Sequence, residues 1–557
     1  MKHILKLIIL GISLIVLNSC YYRPFITYTL NKRDFKHFSK REKIAGNNAN
    51  PQRDYHINKY DWNVKVFPEK RKISGKMIIY FTPNSEQNTF LFDLQNKMKI
   101  NSFTCSVKNL KIKRNRDLMY LVFENNVPKN TRISLVINYE GKPANVFGQG
   151  PIIWKFDKHK RPWISTSTEG IGPQFIMPCN ALLNAEADSC NINITIPKDL
   201  IAVANGKLKK VINNNNSTKT YNYSITNPIN IYNISFNIGH FKKIIKPYKD
   251  INGVEREIEC QVLDYNYDIA NKFYDQVPII MHEFEKMFGE FPWWNDGCKF
   301  IESNFTAMEH QSGIAMGNDY ATYGDAYNIT LVHELAHEWW GNNITGKDYC
   351  DIWIHEGFAT YAEALFSEKL SGKKLYEKHI AHDIKSIKNT IPLYKKCDVL
   401  YNSWTNSADQ DIYKKGSLLV HSLRMVVNND SLFFNSLHTI QKDFKQQNVS
   451  TKEIINKFNK LLENDYSELF DWYLNRTEPP ILQVVIDKEK GELHYKWKEE
   501  ILFFKHGKIT LQNHENLITL MPTLNYQTYR VKDVQINNFL IEKSIYYKVK
   551  VLKRKTI

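Results

Sequence analysis

The hydrophobic period of this chain changes twice along its length. From about Tyr55 to Phe241, apolar and polar residues alternate in short segments. Lys76–Phe81, Arg132–Ile137 and Asn191–Ile196 are examples, with turn residues such as Asn205-Gly206 between segments. A period of two sends successive side chains to opposite faces of a strand, so this part reads as all-β. From about Ala270 the apolar residues recur at helical spacing, through Phe273–Phe288, Ile329–Trp340, Glu356–Leu370 and Gly416–Val427. That spacing predicts a mainly helical region. Pro479-Pro480 closes it, and residues 481–557 return to short strands such as Leu493–Trp497. Three such regions agree with 557 residues at roughly 100–200 residues per domain. The expected limits are 51–245, 246–480 and 481–557. With 43% hydrophobic residues there is enough apolar surface for sizeable cores, which excludes global disorder.

The first residues read as an address. Lys2 precedes a run from Ile4 to Leu17 that is apolar except for Lys6 and a few small residues, too short for a membrane span of roughly 20 residues and suited to a secretory signal. The run ends in Leu17-Asn18-Ser19-Cys20, which resembles the bacterial lipobox. In such signals the cysteine is acylated and becomes the mature N-terminus. Residues 1–19 are therefore expected to be a lipoprotein signal peptide, Cys20 the lipid attachment point, and 20–50 a polar, basic tether. Membrane attachment and export follow from that reading. The net charge of +17 is carried by lysines scattered among Asn, Ile and Tyr, a solvated surface rather than a nucleic-acid stripe, so no nucleic-acid partner is expected. Seven further cysteines form no CxxC pair, which argues against a cysteine metal site. Cys179 and Cys190 are the pair nearest in sequence.

The chemistry sits in the helical region. Residues 330–342 contain His333-Glu334-Leu335-Ala336-His337, the pattern HExxH. Four helical residues bring two histidines onto one face a turn apart, where both can bind one Zn²⁺, with Glu334 beside them to act on a metal-bound water. Catalytic zinc takes a third protein donor. Glu356 follows His337 after 18 intervening residues, in Trp353-Ile354-His355-Glu356-Gly357-Phe358-Ala359.

HExxH with a glutamate at this distance is the signature of the gluzincins. The flanks HELAHEWWGN and WIHEGFATYAEA resemble the aminopeptidase N family. Ala307-Met308-Glu309-His310-Gln311-Ser312 is similar to its exopeptidase motif, usually GxMEN, in the GMEHQS form of a bacterial branch. Tyr413-Lys414-Lys415-Gly416 matches YxKG, and Leu469–Thr477 resembles the end of the catalytic domain. With Thr168–Gly172 and Pro178, the likeness covers roughly residues 50–490. It departs from the family at Ala307, usually Gly, at His310, usually Asn, and in lacking the family's helical C-terminal domain.

The resemblance implies a multidomain α+β fold. It comprises an N-terminal β-sandwich-like domain, a thermolysin-like catalytic domain and a short C-terminal β domain, with the active site in the cleft between the first two. It implies one Zn²⁺ per chain on His333, His337 and Glu356, Glu334 as general base and Tyr413 as donor to the oxyanion. Glu309, helped by Glu169, would bind the substrate amine, with Ala307 and Met308 beside the substrate as an edge strand. The implied reaction is hydrolysis of the N-terminal peptide bond of peptides. The competing readings are a zinc endopeptidase, which would lack the amine clamp, and a binding lipoprotein with a dead site. Glu363, seven residues after Glu356 and on the same helix face, could support a zinc histidine, as could Asp351. His355 reads as structural. His310 could shape the amine site or be structural, and Trp339 and Trp340 read as core.

Overall fold

The computed structural model describes residues 44–553, apart from 45, 145–149, 318, 322–326, 395–410, 506, 514–515, 531–535 and 541–542. The signal-like segment, Cys20 and most of the expected tether lie outside the described residues. Among the described residues, no helix is long and apolar enough to cross a membrane.

The N-terminal part is built on a seven-stranded sheet with Tyr55–Phe67 and Lys72–Pro83 at its centre. Tyr55–Phe67 pairs antiparallel with Lys72–Pro83 and parallel with Cys190–Pro197, in register Trp62↔Met77 and Trp62↔Ile192. Its alternation buries Tyr60, Trp62, Val64 and Val66. A three-stranded sheet of Gln87–Asp93, Leu118–Val127 and Leu110–Asn115 shares their core, through Phe90, Phe92 and Leu121. Two sheets closing on one apolar layer give the expected sandwich. A third sheet contains Pro162–Thr166 and Phe236–Gly239 and faces the catalytic part.

The strand Phe241–Lys249 continues across residue 245. It pairs with Glu255–Leu263 and belongs to a five-stranded sheet with Cys298–Glu302, Ile314–Met316 and Ala307–Met308. The boundary expected at 245/246 therefore falls inside a strand. Alternating sequence here signals the sheet of the next unit, and the break lies near His240.

Nine helices are described: α1 (Tyr267–Phe273), α2 (Val277–Phe288), α3 (Ile329–Ala336), α4 (Trp353–Ser371), α5 (Lys373–Ser386), α6 (Asp411–Val427), α7 (Asp430–Asp443), α8 (Thr451–Leu461) and α9 (Ser467–Asn475). Helix α4 is buried on nearly every face, from Trp353 to Ser367, as befits the central helix of a large domain. Two small C-terminal sheets enclose their own core of Leu482, Val484, Trp497, Leu511 and Tyr547. They are pinned to the helices where Tyr473 Oη donates to the Tyr546 carbonyl at 2.5 Å and Tyr546 N–H to Ser422 Oγ at 2.9 Å. Cys179 and Cys190 are free thiols, whereas Cys350 is disulfide-bonded.

Candidate metal centre and amine site

Asn328 starts α3 by accepting the Leu331 N–H at 2.9 Å, capping a helix end that would otherwise leave donors unpaired. The helix ends at Ala336, four residues short of the periodic pattern. Unwinding there lets the Trp340 carbonyl turn back to His337 Nδ1 at 2.9 Å. Gly341 makes the reversal at φ 131°, with His337 and His355 closing around it.

His333 Nδ1 lies 2.7 Å from Glu363 Oε1. A carbonyl and an ionised carboxylate only accept, so both Nδ1 atoms carry a proton, and each ring in its neutral form keeps a lone pair on Nε2 for a metal. Those two Nε2 atoms are 3.0 Å apart, and Glu356 Oε2 lies 3.3 Å and 3.5 Å from them. Three lone-pair atoms thus converge in a buried place with no donor between them. Zinc with bonds of about 2.0–2.1 Å in tetrahedral array spaces its ligands about 3.3 Å apart. The three side chains fit that ion, and they form the one such metal-holding group among the described residues. Burial opposes charge on His333, yet Glu356 and Glu363 raise its pKa well above the ordinary value. Burial likewise opposes the Glu356 carboxylate, and the two imidazoles hold it well below the usual range. Burial pushes the Glu334 carboxyl up to about 8, against the pull of both histidines.

Helix α6 crosses α4 at a pair of glycines. A Cβ on Gly416 would stand 2.7 Å from Gly357 Cα, and one on Gly357 would stand 2.9 Å from Gly416 Cα. Only two missing side chains permit that approach. It brings Tyr413 within 5.9 Å of the His333 ring, centroid to centroid, and its phenol into the field of the Glu356 carboxylate.

Glu309 follows the edge strand Ala307–Met308, which pairs with Ile314–Met316 in register Met308↔Ala315. The loop behind it is fixed by buried polar bonds. Asn342 Nδ2 donates to the Glu309 carbonyl at 2.8 Å, Asn205 Nδ2 to the Gln311 carbonyl at 2.7 Å, and Ser312 N–H to Glu338 Oε1 at 2.9 Å. Asn205 comes from the β domain and Glu338 from just beyond α3, so the loop is held from both sides. Glu169 reaches in from a turn whose Thr168 donates to the Tyr232 carbonyl at 2.9 Å. The Glu309 charge acts on the Glu169 carboxyl, and Tyr232 Oη donates to Glu309 Oε1 at 3.2 Å. Burial, with the charges of Glu309, Glu356 and Glu334, raises Glu169 well above the carboxylate range. Burial also raises Glu309, against the pull of His337.

The structure thus brings together His333, Glu334, His337, Glu356, Tyr413, Glu309 and Glu169. Of the secondary candidates, Glu363 meets His333. Asp351 does not support a histidine. It accepts the Thr451 N–H and hydroxyl at 2.8 Å and 2.7 Å and so starts α8. His355 Nε2 accepts the Gly346 N–H at 2.7 Å. His310 is fully buried, with no hydrogen-bond partner for either ring nitrogen, and burial pushes it down to about 3. Trp339 donates to the Gly289 carbonyl and Trp340 stacks on Phe358 at 4.0 Å, both in the core. Tyr232 was not foreseen. Nothing in Asn230-Ile231-Tyr232 distinguishes it from an ordinary buried aromatic.

Comparison with known proteins agrees with this geometry. The Peptidase family M1 domain matches residues 262–473, and the Peptidase M1 N-terminal domain matches residues 56–232. The chain belongs to peptidase family M1. Within that family it is 25% identical over 351 residues to tricorn protease-interacting factor F2 of Thermoplasma volcanium, a match covering 59% of this chain and 43% of that protein. It is 21% identical over 397 residues to aminopeptidase N of Lactococcus lactis, covering 65% and 45%. The chain thus spans less than half the length of those two relatives. The M1 zinc metallopeptidase of Deinococcus radiodurans, solved as a mutant with a Tyr-Ser-Ala substrate, superposes with a TM-score of 0.65 at 19% identity, over 77% of this chain and 96% of that one. That likeness shows the M1 fold of a β-rich N-terminal domain followed by a helical catalytic domain, and M1 membership implies zinc.

Proposed function

We propose that this chain is a zinc-dependent aminopeptidase that hydrolyses the N-terminal peptide bond of peptides, with one Zn²⁺ per chain. The observation that carries the reading is a carboxyl pair, half-buried Glu169 and buried Glu309, in the same electrostatic site as the His333–His337–Glu356 donors. Bound by those donors, zinc supplies Lewis acidity and eases ionisation of water at neutral pH.

The protein's own groups do the rest. Glu309 and Glu169 receive the substrate's α-ammonium in charge-assisted hydrogen bonds. Tyr232 keeps Glu309 aimed. The scissile carbonyl then lies beside Glu334 and Tyr413, with Ala307 and Met308 running alongside the substrate backbone. Glu334 accepts a proton from the attacking water and later delivers it to the leaving nitrogen. The Tyr413 phenol donates to the oxygen that gains charge as the carbonyl becomes tetrahedral. We also propose, from the sequence alone, that a lipid on Cys20 tethers the enzyme to a bacterial membrane on the exported side. Labelling with a radioactive fatty acid that persists in Cys20→Ser would refute that anchor.

A panel of aminoacyl-fluorogenic amides and N-terminally blocked peptides, with and without chelator, tests the activity. Turnover of free-amine substrates that is lost with chelator and falls sharply in Glu309→Gln supports it. Equal turnover of blocked peptides, untouched by Glu309→Gln, identifies an endopeptidase instead.

A further inference from the structure

Behind His333 lies a layer of charge that the proposed chemistry does not use. Glu363 on α4 gives Oε1 to His333 Nδ1 at 2.7 Å. Its second oxygen, Oε2, faces two groups on neighbouring helices: His379 Nε2 of α5 at 3.4 Å and Lys414 Nζ of α6 at 3.9 Å. Lys414 is itself held by Asp383 Oδ1 at 3.0 Å. Asp383 is fully buried, and its Oδ2 accepts the Ser417 hydroxyl at 3.0 Å. The layer therefore ties three helices together behind one imidazole. Fixing a glutamate side chain costs rotamer freedom, and one hydrogen bond through Oε1 leaves the carboxylate free to swing about it. Contacts to Oε2 remove that freedom. Lys414 directly follows Tyr413, so consecutive residues of α6 reach opposite sides of the centre: the phenol meets Glu356, the ammonium Glu363.

We propose that Lys414 and His379 are positioning residues for the metal centre. By holding Oε2 of Glu363 they keep Oε1 on His333 Nδ1, and so fix the ring that offers Nε2 to the metal. The inference rests on the zinc reading above.

The test is the zinc dissociation constant, measured by competition with a chromogenic chelator, for wild type, Lys414→Met, Glu363→Gln and the double variant. Lys414→Met is expected to weaken zinc binding about 10- to 100-fold, the usual effect of removing a support behind a ligand. Lys414→Arg should restore most of it. In the Glu363→Gln background the same change should add little, because the two residues act in series. An unchanged constant in Lys414→Met, or equal losses in both backgrounds, overturns the proposal. His379→Gln, read in the same cycle, carries the test if Lys414→Met does not fold. A wild type that binds no stoichiometric zinc overturns the zinc reading as well. A zinc-loaded wild type with an unaffected Lys414→Met overturns this proposal alone.

Discussion

Replacing Gly416 by Ala would place a methyl carbon 2.7 Å from Gly357 Cα. Carbon atoms pack at about 3.5–4.0 Å, so α4 and α6 would have to part by about 1 Å. Overpacking of this kind costs about 1–3 kcal/mol. Ala is favoured over Gly within a helix by about 1 kcal/mol, which offsets part of it, and the expected net loss is about 0–2 kcal/mol. The catalytic effect should be larger. Tyr413 lies on α6 one turn before Gly416, and Glu356 directly precedes Gly357, so the separation falls on the gap between phenol and metal site. A 1 Å misplacement can cost about 10²-fold in rate. All three metal donors lie on α3 and α4, with His337 at the α3 cap, so zinc should remain bound. Steady-state kinetics on an aminoacyl amide, with zinc content and a melting curve, should show kcat down about a hundredfold, one zinc per chain and melting lowered by a few degrees. A kcat within threefold of wild type would refute the crossing as the device that positions Tyr413.

Glu334→Gln should retain zinc and lose at least about 10²–10⁴ in kcat, the usual worth of a general base; unchanged turnover in a zinc-loaded variant would rule that role out. Tyr413→Phe should lower kcat about 10²–10³-fold with little change in KM, as for the loss of one oxyanion donor. Dialysis against a chelator should abolish peptide hydrolysis, and equimolar zinc should restore it. His310 is buried neutral with its pKa pushed down to about 3, so the unfolded chain binds its proton first. The stability this contributes is complete above about pH 6.5 and is lost as pH falls toward 3, by at most about 1.4 kcal/mol per pH unit. His310→Leu should therefore flatten the acid side of a melting-temperature profile; an unaltered slope would argue against a neutral buried ring.

The donors were legible because a helix obliges residues four apart to share a face, and Glu356 sits where a second helix can return. The amine pair was legible only through likeness to a family, since nothing in the intervening residues says that a turn at Glu169 will meet a loop at Glu309. Spacing misled at Asp351: an acid near the motif suggests support for a histidine, but its partner is Thr451, one hundred residues on. It misled again at Trp339 and Trp340. Their apolar character extends the helical pattern beyond Ala336, while the backbone leaves the helix to give His337 a carbonyl. Tyr232 and the contact of Lys414 with Glu363 are long-range meetings that leave no periodic trace.

The carboxyl pair is drawn from two separately cored parts of the chain, Glu169 from the sandwich and Glu309 from the helical unit. If the proposed roles hold, the catalytic half alone would possess a hydrolytic centre but no gauge of where a peptide begins. On the aminopeptidase reading proposed above, selectivity for chain ends is thus a product of docking between the two parts. A newly made molecule in which the two parts had not yet met would be unable to tell a terminus from a mid-chain bond.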